Sequence, residues 1–311
     1  MKKKRSHDLM KTRRRICNDR VLYLMIAPVI LWYLLMCYYP IIGGISLSFR
    51  NYRFDMGIFR SPFVGLKNFE KMLKDTQFLR AVRNTIILSL GRIAFQMPCA
   101  ILAAVMLSEV RSRFKRAFQT VITFPHFISW VVLAGVLVNL FGSDGVVMHV
   151  LNALGISMRS PVITKEYFRG FLWLTNIWKE VGWDSIIYLA AITSIDPGLY
   201  EAAEVDGASR IQRILHITLP GIKSTIMIML ILAVGQIMTN GAFDQIFNLY
   251  SSPVYPVADT IDTFIFRESF VQGSLNYGYS SAIGLFKSVI GVIMITVCNK
   301  IVTMTGENGL I

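Results

Sequence analysis

Glu180 and Asp184 stand four residues apart in an otherwise apolar stretch, and Asn176 stands four residues before Glu180. At helical spacing the three share one face. Paired carboxylates suit acid–base catalysis or a proton relay. With an amide beside them they equally suit hydrogen bonds to the hydroxyls of a sugar. Trp178, Trp183 and Tyr188 lie in the same stretch and supply rings for the apolar face of a pyranose. Asn240, Asp244 and Asn248 repeat at intervals of four, with Gln245 beside them, which predicts a second polar stripe. Polar and ionisable residues inside apolar segments mark a solute or ion path, so the two stripes are expected to line one.

Catalysis lacks its other parts. No nucleophile or metal set accompanies Glu180 and Asp184. His7, His126, His149 and His216 are scattered, and Cys17, Cys37, Cys99 and Cys298 form no C-x-x-C pair. Neither a zinc site nor a disulfide framework is expected. There is no G-x-x-x-x-G-K-[ST] phosphate loop, so ATP is not bound by that route. Other polar residues of the apolar stretches have structural readings. Trp173 is expected at a membrane interface. Lys179 is expected to pair with Glu180 or Asp184, and Arg92 and Lys287 to snorkel or pair.

The elements that carry these residues are membrane spans. Of 311 residues, 54% are hydrophobic and only 16% charged, with a mean hydropathy of +0.52. The apolar residues fall in blocks near the roughly 20 residues that cross a bilayer core. The expected spans are about 21–48, 83–108, 117–141, 170–193, 223–249 and 280–303, giving an all-α, polytopic membrane protein. Polar segments at 50–80, 142–169 and 251–278 separate them. The net charge of +13 raises nucleic acid as a partner, but nine basic residues sit in the first 20, including Lys2, Arg5, Lys11 and Arg20. A basic tail before an apolar run holds a terminus beside anionic lipid in the cytoplasm. Residues 1–20 are therefore a cytoplasmic tail and 21–305 one six-span domain, with both termini inside. The run Val21–Pro40 is too long for an ordinary signal peptide and is expected to be retained. The connector 109–116 is basic and agrees with this topology. The cations of 50–80, such as Arg50, Arg53 and Lys71, oppose it.

The connector 194–222 reads as two short helices and a turn. Asp196 caps a first helix opened by Pro197, and Gly207 suits the left-handed residue that ends it. Ile211, Ile214 and Leu215 share a face of the second helix, which Pro220 ends. Glu201-Ala202-Ala203, then Gly207, then Ile217, Leu219 and Pro220 resemble, at all seven positions, the signature loop of permease subunits of binding-protein-dependent ABC importers. Asp206-Gly207-Ala208 resembles the carbohydrate-uptake branch. Phe243–Tyr250, Ala258–Thr263 and Gly284–Ser288 are similar to the polysaccharide and oligosaccharide permeases of Gram-positive bacteria, themselves similar to the larger membrane subunit of the maltose transporter. Many relatives carry Phe where Ile214 stands.

The resemblance implies a type I ABC importer permease fold whose cytoplasmic coupling helix sits in a cleft of a separate ATPase dimer. Glu201 would make the polar contact, Ala202 and Ala203 would allow close approach, and Gly207 would give the turn. It implies a second, homologous permease, an extracellular solute-binding lipoprotein docked on the outer segments, and a carbohydrate cargo. ATP and Mg would be bound by the ATPase, with no cofactor on this chain. The competing expectation is an ion-coupled secondary transporter using Glu180, Asp184 and Asp244. It predicts internal inverted repeats, and none is evident.

Overall fold

The computed structural model describes residues 19–110, 112–238, 242–271, 276–304 and 306. The basic tail up to residue 18, with His7 and Cys17, lies outside them, as do Arg111 and Asn240. The described residues are almost wholly helical and divide into two compact units.

The first unit comprises residues up to Lys71 with Asn276–Leu285. Its main element is α1 (Arg20–Ser48). None of the side chains from Val21 to Ile42 is buried, and Trp32 is 64% exposed. A helix apolar all round and 29 residues long is built for hydrocarbon. Pro40 offers no N–H, and the preceding turn Leu34–Tyr38 loosens to π geometry. Beyond α1 the cations that oppose the topology have local partners. Arg50 donates to Ser61 O at 2.7 Å and Ser46 Oγ at 3.1 Å, and Arg53 pairs with Asp55 at 3.0 Å. Lys71, on α2 (Lys67–Lys74), lies 4.4 Å over the Tyr279 ring. These contacts give the cations of 50–80 local structural roles.

The second unit comprises Met72–Leu275 with the chain from Phe286 onward. It is organised around α3 (Thr76–Glu109) and α7 (Lys165–Thr193), which pack along each other. Asp75 caps α3, accepting from the Gln77 and Phe78 amides at 2.8 and 3.3 Å. One core gathers Leu88, Leu133, Phe168, Leu172 and Ile246, and another Ala104, Leu107, Tyr188, Leu189 and Ile222.

The third expected span is not one helix. α4 (Ser112–Thr123) ends in a 3₁₀ turn at Phe124–Phe127, and α5 (Trp130–Phe141) restarts with the Ser129 hydroxyl accepting from Val132 N at 3.4 Å. Pro125 cannot continue a helix, and α4 is amphipathic and basic. α5 is followed by α6 (Val146–Ala153), and the long apolar stretch is Trp130–Ala153 rather than 117–141.

The connector folds into α8 (Pro197–Val205) and α9 (Arg210–Gly221), bent by 59° from α10 (Lys223–Gly235). The fifth expected span breaks after Gly235 and resumes as α11 (Phe243–Leu249). The polar segment beyond it folds inward. In α12 (Tyr255–Ala258) and α13 (Ile261–Phe266), Ala258, Ile261, Thr263 and Phe264 are fully buried. Asn84 Nδ2 on α3 donates to Pro256 O and Asp259 O, and Arg169 on α7 donates to Val257 O and Asn84 Oδ1. Much of 251–271 is therefore packed interior rather than an open docking face. The last helix is α14 (Tyr277–Met304).

Among the described residues four helices are long and apolar enough to cross a membrane, or five with the bent α9–α10 pair. The expected six is not reached on that criterion. α7 has the length, at 29 residues, but Lys179, Glu180 and Asp184 interrupt its middle.

Candidate translocation cavity and coupling element

α3, α7 and α10 surround a cavity of about 330 Å³. Its polar lining is Ser89, Arg92 and Gln96 from α3, Asp184 and Tyr188 from α7, and Gln236 just past α10. Met97, Met229 and Leu232 are among its apolar walls. Gln96 holds the lining together. Its Nε2 donates to Asp184 Oδ2, and its Oε1 accepts from Asn176 Nδ2. Asp184 is thus oriented by an amide that a second amide fixes, the kind of braced geometry a binding surface needs.

The expected face Asn176–Glu180–Asp184 is split between two neighbours. Asn176, 2% exposed, and Asp184 turn to Gln96. Glu180 turns to the 3₁₀ turn, where His126 Nδ1 lies 2.5 Å from its Oε2. Lys179, also buried, donates to His126 O at 2.6 Å and Glu180 Oε1 at 3.0 Å. His126 stacks on Trp183 with ring centroids 4.3 Å apart and planes 3° apart. Trp183 keeps 45% of its surface exposed and Trp178 51%. Neither lines the cavity. α7 passes this turn closely because residue 182 is glycine. A Cβ there would meet Ile122 O at 2.1 Å.

Of the second expected stripe, Asn240 lies outside the described residues, and α10 ends at Gly235, short of Asp244. Asp244 is exposed on the separate helix α11, and Asn248 Nδ2 donates to Asp244 O at 2.7 Å. Gln245 is buried and braces α11 to α7 through Leu172 O at 2.8 Å and Thr175 Oγ1 at 3.0 Å. Gln236, before the break, supplies the cavity's amide from this side. Trp173 is partly buried. Its Nε1 donates to Leu88 O at 3.2 Å and its ring packs 5.4 Å from Phe95. Lys287 pairs with Asp262. Arg92, Gln96, Ser89, Gln236 and His126 carry the site without having been predicted in it. Their signal was polarity inside apolar stretches.

The connector 196–222 has the expected local chemistry. Asp196 Oδ1 accepts from Gly198 N at 2.9 Å, with Pro197 in the first turn of α8. Gly207 sits at φ +75°, a conformation costly for any residue with a Cβ. Ser209 and Gln212 form a capping box on α9. Two bonds brace the limbs: Tyr200 Oη to Thr218 Oγ1 at 3.0 Å, and Arg213 to Glu204 at 3.0 Å. Glu201, Ala202, Asp206 and Gly207 are exposed, and Ala203 partly so. Ile217 and Leu219 are partly buried and Pro220 is exposed within α9. On the same helices Leu199 is 53%, Val205 88%, Ile211 69% and Leu215 53% exposed. Several exposed apolar side chains on one short element suit an interaction surface.

Residues 96–304 match the family model described as binding-protein-dependent transport system inner membrane component. The chain belongs to that family. The permease is 38% identical over 311 residues to the polygalacturonan/rhamnogalacturonan transport system permease protein YteP of Bacillus subtilis (strain 168), covering 99% of this chain and 94% of that one. It is 30% identical to the lactose transport system permease protein LacF of Rhizobium radiobacter, covering 80% and 85%. The crystal structure of a bacterial alginate ABC transporter in complex with an alginate pentasaccharide-bound periplasmic protein contains a chain that superposes with a TM-score of 0.86 at 37% identity, covering 96% of this chain and 99% of that one. The fold is therefore that of an ABC importer permease, and the protein is a multi-pass membrane component with a transport role. Membership does not favour the ion-coupled secondary transporter.

Proposed function

We propose that this permease is one of two homologous membrane subunits of an ABC importer carrying an acidic oligosaccharide or polysaccharide fragment. An extracellular solute-binding lipoprotein delivers the cargo, and an ABC ATPase dimer, holding ATP and Mg, drives the cycle. Both termini are cytoplasmic, and α7 is a further span whose charged middle faces the path instead of lipid. The acidic cargo is supported by the likeness to transporters of polygalacturonan and of alginate, described as an acidic polysaccharide.

The observation that carries this reading is the build of residues 196–222. A braced two-helix element lies directly between α7 and α10, and Glu201 and several apolar side chains are exposed on it. Closure of the ATPase dimer would move it as a rigid body, with Glu201 and Asp206 at the polar contact. Ala202 and Ala203 would allow close approach, with Gly207 at the turn. Ile217, Leu219 and Pro220 would pass the movement to α10. The cavity enclosed by α3, α7 and α10 would then open to alternate sides. Saccharide hydroxyls would meet Asp184 and Gln236, and Trp183 with Glu180 would continue the path towards the second permease.

The test is purification of the tagged chain from its native membrane in mild detergent. A P-loop ATPase, a second permease and a lipoprotein should accompany it. Recovery of the chain alone, or as a homo-oligomer, would contradict the proposal.

A further inference from the structure

Arg92 lies near the middle of α3, which runs from Thr76 to Glu109. An arginine among the apolar residues of such a helix is expected to face protein or a polar cavity, and Arg92 lines the 330 Å³ cavity. Among the described lining residues Arg92 is the cation and Asp184 the anion. Asp184 is held by Gln96, and Gln96 by Asn176, so neither amide can turn to a ligand without giving up a bond. Lys179 of α7 is not part of the lining and bonds Glu180 and the His126 carbonyl.

We propose that Arg92 is the specificity-determining residue of the cavity and receives the carboxylate of a uronate-type sugar as it passes. The assignment rests on the reading that a saccharide crosses this cavity. A guanidinium matches a carboxylate with two parallel hydrogen bonds, whereas a neutral hydroxyl uses one donor. Asp184 adds direction: it repels a misplaced carboxylate and accepts from sugar hydroxyls, so the acid group is turned towards Arg92.

The experiment uses the complete importer in proteoliposomes, wild type and with Arg92→Gln or Arg92→Lys. The cargoes are a galacturonate trisaccharide and its carboxyl-reduced counterpart, both first shown by calorimetry to bind the isolated binding protein. Arg92→Gln is expected to slow uptake of the acidic trisaccharide by about tenfold or more, the scale of one charge-assisted contact. The ratio of acidic to neutral uptake should fall by about the same factor, with Arg92→Lys between the two. Equal loss for both cargoes would reduce Arg92 to a structural role and overturn the assignment, as would unchanged acidic uptake in Arg92→Gln. Failure of the wild type to carry the acidic trisaccharide would instead overturn the acidic-cargo reading, and this assignment with it.

Discussion

The Tyr200 hydroxyl stands 3.0 Å from the Thr218 hydroxyl, joining the helix that carries Glu-Ala-Ala to the one that leads into α10. Thr218 is 2% exposed, so loss of its partner strands a buried hydroxyl. Tyr200→Phe should cost about 1 kcal/mol locally and loosen one limb against the other. The expected result is ATP hydrolysis near wild type with severalfold less cargo moved per ATP. A fall of both activities in step, with the ratio unchanged, would remove the bracing role.

Gly207 holds a left-handed turn at the tip of the same element. Gly207→Val puts a β-branched residue at φ +75°, costing on the order of 1–2 kcal/mol, and obstructs the approach of a partner. Glu201→Lys reverses the central charge of the exposed face. Both variants should insert normally and lose transport. Near-normal uptake in either would remove the coupling role assigned to residues 196–222.

Gly182 lets α7 pass the Ile122 carbonyl, where a Cβ would come within 2.1 Å. The obstacle is backbone, so the neighbour cannot turn aside. Gly182→Ala should destabilise by about 1–3 kcal/mol, read as a lower melting temperature of the purified complex. Gly284, with nothing within 4 Å of the same added atom, is the control, and Gly284→Ala should leave the melting temperature unchanged.

Asp259 and Arg267 form a two-bond pair at 2.7 and 3.0 Å, with the Asp259 side chain 1% exposed. Removing one partner of such a buried pair costs about 3–5 kcal/mol. Arg267→Ala should detach α12 and α13 from α3, seen as faster amide exchange across 255–266. Exchange no faster than wild type would show that the Asn84 and Arg169 bonds suffice.

Local signals made the coupling element legible. Asp196, Pro197 and Gly207 each act within a few residues, so their effects survive without tertiary context. The Ser209–Gln212 box was equally local and went unread. The spans were legible as apolar blocks, but their continuity was not. Pro125 with Ser129 marks a stop and restart, and Gly235 ends α10 in the fifth segment. The polar path was half legible. Period-four spacing brought Asn176 and Asp184 to one side, but the choice of Gln96 for one carboxylate and His126 for the other depends on partners 88 and 54 residues away in sequence. The stripe of Asn240, Asp244 and Asn248 assumed one helix across the fifth segment, whereas α10 ends at Gly235 and Asp244 and Asn248 lie on α11.

The central claim is that this permease moves an acidic saccharide with energy from a separate ATPase. The most direct measurement is uptake of labelled oligogalacturonate into proteoliposomes holding the purified complex and its binding protein. The account predicts accumulation that requires ATP and the binding protein, survives collapse of the proton gradient, and vanishes with Glu201→Lys. Uptake that follows the proton gradient and ignores ATP would contradict it.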